Sequence, residues 1–445
     1  MSDRLAVVVM AAGLGTRMRS SVPKHLHPLL GLRMVDWVVD AARALEPERL
    51  VVVASPETRD AFDDIEVAVQ DEPRGTGDAV AASRPALEGF DDDVLVLSGD
   101  SPLLTDELLR ELVEAHRAAG AAATVLTFEP DFPLPYGRII RDGAGSIEDI
   151  VEETDATPEQ LEVRELNSST YVFSAPELWA SLEQLEPDNR QGELYLTDTI
   201  RKLVEAGHKV AAYRSPDPVA PVGVNTRAEL AAAGAVLRDR VNEAHMLAGV
   251  TIVDPATTWI DPGVELEPDS VLHPFTVLRG NTRVATGAEV GPHVVAVDAE
   301  IGRETQVGPF CYLRPGTVLA AGAKAGTFVE IKNSLIGERT KVPHLSYVGD
   351  AEIGEESNVG AGGITVNYPH EAGKEKGRTK IGRNVRTGVQ NAFVAPVEIG
   401  DDAWIAAGSV ITEDVPPGSL AIARAKQINK EGYAVEHRAD EHRHD

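Results

Sequence analysis

A six-residue period runs through the second half of this chain and limits its fold more than any other feature. Aliphatic residues recur at Ile260, Leu266, Leu272, Leu278, Val284 and Val290, then at Ile301, Val307, Leu313 and Leu319. The series returns at Ile353 and Val359 and closes with Ile399, Ile405 and Ile411. Gly follows many of these positions, as in Val290-Gly291, Ile301-Gly302, Ile336-Gly337 and Ile399-Gly400. A helix repeats about every 3.6 residues and a strand every second residue, so neither fits a period of six. A parallel β-helix does: each hexapeptide forms one side of a coil and turns one aliphatic residue inward. Such a coil on its own is a stacked spacer or an oligomerisation element. Interruptions of a solenoid map to loops, often on its functional face. The polar, basic stretch from Val366 to Lys380, between Ile364 and Ile381, is one.

The first half follows another pattern. Leu5 to Met10, Leu50 to Ala54, Val94 to Leu97 and Ala122 to Leu126 are short aliphatic runs that read as buried strands. Helical stretches lie between them, from Met34 to Leu45 and from Thr105 to Ala119. Strand and helix alternating at this spacing predict βαβ units, a mostly parallel sheet and helices on both of its faces. Thr226 to Met246 contains no Pro and reads as one helix. The expected organisation is an α/β domain over 1–225, a linker helix over 226–247, a β-helix over 248–425 and a tail over 426–445. Three histidines in the last ten residues offer metal ligands, although a frayed end explains them better.

Composition excludes several classes of function. The formal charge is −29, from 42 Lys and Arg against 71 Asp and Glu. Such a surface repels phosphate backbones and anionic lipid, which argues against nucleic-acid or membrane partners. The single Cys311 excludes an internal disulfide and fits a reducing cytoplasm. No apolar run reaches the roughly 18 residues that span a bilayer, and the first one ends in Gly-Leu-Gly-Thr-Arg rather than a cleavage site.

The first strand runs directly into Met10-Ala-Ala-Gly-Leu-Gly-Thr-Arg-Met-Arg19. Small residues there let backbone N–H groups approach phosphate oxygens closely. It is not the dinucleotide fingerprint, because Met18 occupies the third glycine position, and no Gly-Lys-Ser/Thr marks a Walker loop. Arg17 and Lys24 supply cations. Asp100, in Leu97-Ser-Gly-Asp-Ser-Pro102, follows another strand and should meet Gly13 at the carboxyl edge of the sheet, where ligands gather. Gly75-Thr76-Gly77 and Val222-Gly-Val-Asn225 read as further turns after apolar strands. Together these predict a nucleoside triphosphate site with Asp100 as a Mg²⁺ ligand. A tight strand-to-helix turn with incidental charges explains the loop equally well. Taken singly, Glu152 reads as surface acid, and Asn225 as a cap for the Thr226 helix.

The loop from Ala11 to Met18, Pro23-Lys24, Gly75-Thr76, Gly99-Asp100 and Asn225 resemble the sugar-1-phosphate nucleotidylyltransferases. With the hexapeptide half, the chain resembles the bacterial family of bifunctional N-acetylglucosamine-1-phosphate uridylyltransferases / glucosamine-1-phosphate N-acetyltransferases, from about Leu5 to Arg424. The resemblance implies a nucleotide-diphospho-sugar transferase α/β domain followed by a left-handed parallel β-helix. It also implies a cytoplasmic homotrimer that consumes acetyl-CoA, UTP and glucosamine 1-phosphate to make UDP-N-acetylglucosamine for the cell envelope. Met10, Ala11, Ala12, Gly13, Arg17 and Lys24 then surround the phosphates, Gln70, Gly75 and Thr76 the uracil, and Ser98 and Gly99 count among the nucleotide-sugar contacts. Gly137, Glu152 and Asn167 hold the sugar, and Asp100 and Asn225 hold Mg²⁺. In the β-helix, His344 becomes the general base for acetyl transfer, with Arg314, Lys332, Tyr347 and Asn358 on the sugar phosphate. Imidazole suits that role because it exchanges a proton near neutral pH. Ala361, Asn367, Tyr368, Val389, Ala407 and Arg424 fall on the acetyl-CoA contacts.

Four positions depart from the family pattern. Thr154 stands where Lys is usual and Ser169 where Gly is usual, both near the sugar pocket. Val389 replaces a Ser, Gly363 replaces a Thr, and the loop after Tyr368 is longer. They leave open a second reading, a nucleotidylyltransferase whose β-helix is only a trimerisation stalk. A zinc hydratase on the coil would need three histidine ligands, and His273, His293 and His344 are too widely separated for it. A non-catalytic nucleotide-binding scaffold is opposed by Lys24, Asp100 and Asn225 occurring together.

Overall fold

The unbroken run from Leu5 to Ala11 forms the central strand β1 (Leu5–Ala11), buried at every position. The computed structural model describes residues 4–13, 15–369, 373 and 375–437. After β1 come α1 (Met34–Arg43), β2 (Arg49–Ala54), β3 (Glu66–Val69), α2 (Thr76–Ala82), β4 (Asp93–Ser98), α3 (Asp106–Ala119) and β5 (Ala123–Phe128). Then follow β6 (Arg138–Arg141), β7 (Ile147–Val151), β8 (Leu166–Ser174), α4 (Ala175–Leu182), α5 (Asp198–Glu205), β9 (Val210–Arg214) and α6 (Arg227–Leu247), with a few shorter pieces between.

The sheet runs in the order β9-β5-β8-β4-β1-β2-β3. Its pairings are parallel except at β8, which lies antiparallel to both β4 and β5. β6 and β7 form a hairpin that joins the sheet beside β8. Side chains alternate across β1, so Ala6, Val8 and Met10 pack with residues of α2, α4 and α5. Leu5, Val7, Val9 and Ala11 pack with α1 and α3 on the other face. Both faces are therefore covered, as the aliphatic runs predict for a doubly wound sheet.

The chain divides into two units, Met1–Arg240 and Val241–Asp445, and the division falls inside α6. In the first unit Ala233 and Leu237 of α6 pack with Leu29, Met34, Leu103 and Val224. In the second, Asn242 donates to the carbonyls of Pro255 and Thr258, at 2.9 Å each.

The second unit is the left-handed parallel β-helix. Strand partners lie 17 or 18 residues apart through most of it, as in Thr327 with His344 and Tyr312 with Glu330. Three hexapeptides therefore make one coil, and three long parallel sheets are its sides. The periodic residues form one continuous core, with only Leu266 partly exposed. Many corners are in the left-handed region, occupied by Gly or by residues such as Asn333 (φ 44°) and Asp350 (φ 51°). Between Ile364–Val366 and Thr379–Ile381 the period breaks, and Ala351 pairs with Thr379 at a separation of 28. That insertion is the interruption the sequence predicts; residues 370–372 and 374 within it lie outside the described residues. So do 438–445, which include two of the three tail histidines. The described part of the tail holds one short helix, Tyr433–Glu436. Among the described residues no helix is long and apolar enough to cross a membrane.

Candidate active sites

Backbone crossings at the carboxyl ends of β1 and β4 build the first site. The Gly99 N–H donates to the Met10 carbonyl at 2.9 Å, and the Val224 N–H to the Asp100 carbonyl at 2.8 Å. The first fixes the loop after β4 against β1, and the second fixes the 222–225 segment against Asp100. A Cβ on Gly99 would stand 2.9 Å from the Met10 carbonyl oxygen, so a side chain there would separate the strands. Val222–Asn225 is not a turn following a strand, as the sequence suggests. It is an irregular segment held in place by Asp100.

Five charged or polar side chains converge there. The Lys24 ammonium bonds Asp100 Oδ2 and donates to Asn225 Oδ1 at 2.8 Å. Arg17 donates to the same Asn225 oxygen at 2.8 Å, and Ser98 to Asp100 Oδ1 at 2.7 Å. Burial pushes the Asp100 carboxyl up, but Lys24 and the bonds from Lys24 and Ser98 outweigh it and hold it below the usual range. The two oxygens meet at a cation already, the Lys24 ammonium. One carboxylate and one amide oxygen are a hard donor pair that fits a divalent ion sharing phosphate oxygens.

Asn225 is not the helix cap. Thr226 Oγ1 accepts the Glu229 N–H at 3.2 Å, and the Glu229 carboxylate takes the N–H groups of Asn225 and Thr226. That reciprocal box starts α6 and leaves the Asn225 side chain to the site.

Met10, Ala12, Gly13, Arg17, Lys24, Gln70, Gly75, Thr76, Ser98, Asp100 and Asn225 line one cleft of about 410 Å³. Ala11 is buried in β1, and Gly99 lies behind the wall. Gln70 donates to the Gly75 carbonyl and to Asp78, and Thr76 Oγ1 accepts from the Leu196 N–H at 2.9 Å. Gly137, Glu152 and Asn167 form a second cluster: Asn167 N–H donates to the Gly137 carbonyl at 2.9 Å, and Thr197 donates to Glu152 at 3.1 Å. Glu152 is not a surface acid, since burial holds its carboxyl above the usual range. Ser169 sits beside this cluster at φ 59°, where Gly would be unstrained. Thr154 is exposed, its hydroxyl near Asp155.

Gly15 and Thr16 of the quoted loop also line the cleft, as do His25, Pro73 and Glu193, which the sequence did not single out. His25 is 5% exposed. Burial drives its pKa down to about 4 despite Asp100, and Lys24 adds to the fall, so the ring is neutral at pH 7. Its place directly after Lys24 was the available signal.

The second site lies along the β-helix. Arg314 follows the strand Cys311–Leu313 and Lys332 ends the strand Glu330–Lys332 one coil on, since Leu313 pairs with Ile331, and Tyr347 is one coil further, paired with Glu330. Arg314 donates to Glu330 at 2.8 Å. His344 ends the strand Lys341–His344 with an exposed side chain, and the Gly362 N–H meets its carbonyl at 3.2 Å. Asn358 bridges to Lys341 and Arg386, on the side of the coil that carries His344. Asn367 bonds Asp350, which also accepts from Asn333 at 2.6 Å. The Gln390 N–H donates to the Ala361 carbonyl, and the Gly408 N–H to the Val389 carbonyl. A Cβ on Gly388 would meet Ala407, and one on Gly408 would meet Arg424. Ala361, Val389, Ala407 and Arg424 are thus stacked on successive coils, with Val389 and Tyr368 exposed.

Lys376 was also missed, although it lies in the basic insertion that the sequence marks out. It and Arg314 hold the Lys332 ammonium pKa below its ordinary value, and its Nζ stands 5.7 Å from the Tyr368 ring centre. Three cations so near one another fit a bound anion.

Residues 7–249 match the family described as MobA-like NTP transferase domain. Proteins named Bifunctional protein GlmU align along nearly the whole chain. The one from Streptomyces avermitilis is 50% identical over 97% of this chain and 94% of its own length. That from Caldanaerobacter subterraneus subsp. tengcongensis is 44% identical over 98% of each. That from Mycolicibacterium vanbaalenii is 46% identical over 97% of this chain and 93% of its own. With that identity over both halves, the chain belongs to the family of bifunctional GlmU proteins.

Proposed function

We propose that the cleft below β1 carries uridylyl transfer and that the coil around His344 carries acetyl transfer, the two steps of UDP-N-acetylglucosamine synthesis. The observation behind the first assignment is the convergence of Arg17, Lys24, Asp100 and Asn225 onto one point of the cleft. Acetylation comes first. His344 removes a proton from the 2-amino group of glucosamine 1-phosphate, whose phosphate is held by Arg314, Lys332 and Lys376. The nitrogen forms a bond to the acetyl carbon as the thioester C–S bond breaks, and the coenzyme A sulfur leaves and takes up a proton.

In the second step a phosphate oxygen of N-acetylglucosamine 1-phosphate attacks the α-phosphorus of UTP in line, and the bond to the β-phosphate oxygen breaks. Lys24 and Arg17 meet the charge that develops on the leaving pyrophosphate, a role of placement and electrostatics. Gln70 and the start of α2 at Gly75-Thr76, a helix N-terminus where the sequence suggests a turn, fix the uracil, and Gly137, Glu152 and Asn167 the sugar. Asp100 and Asn225 are the ligands for Mg²⁺, which supplies charge neutralisation to the phosphates when bound.

The working form in this reading is a cytoplasmic homotrimer. One corner of the coil presents a ladder of Phe275, His293, Phe310 and Phe328, stacked at 4.6, 4.7 and 5.2 Å. All three Phe rings are about half exposed, and Leu345 continues the strip. A second copy of the chain is the occupant that would cover it.

Two assays on one preparation test the division of labour. Release of coenzyme A thiol follows the first step, and release of pyrophosphate the second. His344→Ala should lose thiol release by at least about 100-fold, the scale of general-base catalysis, and keep pyrophosphate release. Asp100→Ala should do the reverse. Loss of both activities in either folded variant would overturn the two-site assignment. No thiol release from the parent enzyme would leave the coil a stalk.

A further inference from the structure

Tyr136 links the two halves of the first site. Its hydroxyl accepts the Gly223 N–H at 2.8 Å and lies 3.5 Å from the Gly223 carbonyl, across 87 residues of sequence. Its ring is braced edge-on by Phe128, with centres 5.3 Å apart. The next residue in sequence, Gly137, lies in the sugar cluster, where its carbonyl accepts the Asn167 N–H. On the other side, Gly223 precedes Val224, whose N–H holds the Asp100 carbonyl, and Asn225, whose side chain is one of the two cation ligands assigned above. A Cβ on Gly223 would stand 3.1 Å from Asp100 Oδ1 and 3.5 Å from the Tyr136 hydroxyl, so the three groups meet at one point.

We propose that Tyr136 is a positioning residue whose hydroxyl fixes the Gly223–Asn225 segment, so that a sugar held at Gly137 and a divalent ion held at Asp100 and Asn225 strengthen each other's binding. The inference rests on the assignment of Asp100 and Asn225 as cation ligands. The segment carrying Asn225 has no strand or helix to hold it, since α6 begins only at Arg227. Its last residue is tied by the Glu229 carboxylate on the Asn225 N–H and by Lys24 and Arg17 on the Asn225 side chain. The backbone before it is held by two bonds, Val224 N–H to the Asp100 carbonyl and Gly223 N–H to Tyr136. The Tyr136 bond is the one that comes from the sugar loop. Binding coupled through a shared element is reciprocal, so the ion should also tighten the sugar.

The test uses the full-length protein and Mn²⁺ as the probe, with bound Mn²⁺ counted by its electron paramagnetic resonance. Binding is measured with and without UDP-N-acetylglucosamine. The parent should bind Mn²⁺ more tightly when the nucleotide sugar is present. Tyr136→Phe keeps the ring against Phe128 and removes only the hydroxyl. It should weaken Mn²⁺ binding in the ternary complex by about 3- to 10-fold, the worth of one hydrogen bond, and reduce the coupling with the sugar. The apparent KM for Mg²⁺ in uridylyl transfer should rise by a similar factor, and coenzyme A release should not change. Gly223→Ala displaces the same segment from the other side and should give the same pattern; it carries the test if melting shows Tyr136→Phe to be unfolded. Unchanged Mn²⁺ binding and coupling in a folded Tyr136→Phe would overturn the proposal. Asp100→Ala separates the two levels of inference: if it too leaves Mn²⁺ binding unchanged, the ligand assignment itself fails.

Discussion

At Asn225 and Thr226, two neighbouring polar residues perform different tasks, and only hydrogen bonds tell them apart. Thr226 takes the cap, so Asn225 is free to share its oxygen between Lys24 and Arg17. Val389 raises the opposite question, because an apolar side chain stands half exposed on the ledge assigned to acetyl-CoA. It can pack against the ligand but cannot donate a hydrogen bond to it. Val389→Ser should therefore lower the KM for acetyl-CoA about 3- to 10-fold, one hydrogen bond's worth, with the KM for glucosamine 1-phosphate unchanged. Initial rates of thiol release against each substrate check this. No change in either KM would remove Val389 from the ledge.

Among the elements, β8 shows what a local departure costs. Its pairing with β5 shifts register between Asn167 and Tyr171, and Ser169 sits in that shift at φ 59°. The Asn167 oxygen accepts the Ser169 N–H at 3.1 Å, so the distortion is tied to the residue assigned to the sugar. Left-handed backbone costs a non-glycine residue on the order of 1 kcal/mol, part of which Gly loses again as chain entropy. Ser169→Gly should raise the melting temperature of the first unit by about 1–3 °C. Calorimetry measures it, and a fall would show that the Ser hydroxyl matters more than the strain.

The strands and helices themselves were legible. Their aliphatic runs and 3.6-residue spacings are local properties, and the predicted ends lie within a residue or two of β1, β2, β4, β5 and α3. The hexapeptide series was equally plain, because each inward residue is set by its own six-residue unit. The antiparallel β8 was not, since nothing within a strand's own sequence fixes the direction of its neighbour.

For the whole molecule, the exposed aromatic corner of the β-helix bears on assembly. Phe275, Phe310, Phe328 and Leu345 recur down one edge, all with positive φ and about half or more of their surface open. If copies of the chain cover this edge, Phe328→Asp should convert a trimer to monomers in light scattering after gel filtration, because a buried unpaired carboxylate costs several kcal/mol. Uridylyl transfer should survive the change. A trimer that persists in Phe328→Asp would place the contact elsewhere, and a monomeric parent enzyme would overturn the trimer.

The sequence by itself determined both architectures, through periodicity and through motifs a few residues long, while most of the expected site residues came from the family resemblance. Burial of one side chain per hexapeptide, or of one face per helix turn, is decided within a dozen residues. The tertiary structure decided which polar groups act together. Arg17 and Asn225 share a hydrogen bond across 208 positions, and Tyr136 reaches Gly223 across 87. It also brought in His25, buried under the cleft, and Lys376, carried to Lys332 by the insertion. Such meetings depend on how strands are ordered and coils are stacked. That order follows from packing the whole chain and leaves no local pattern in the residues it joins.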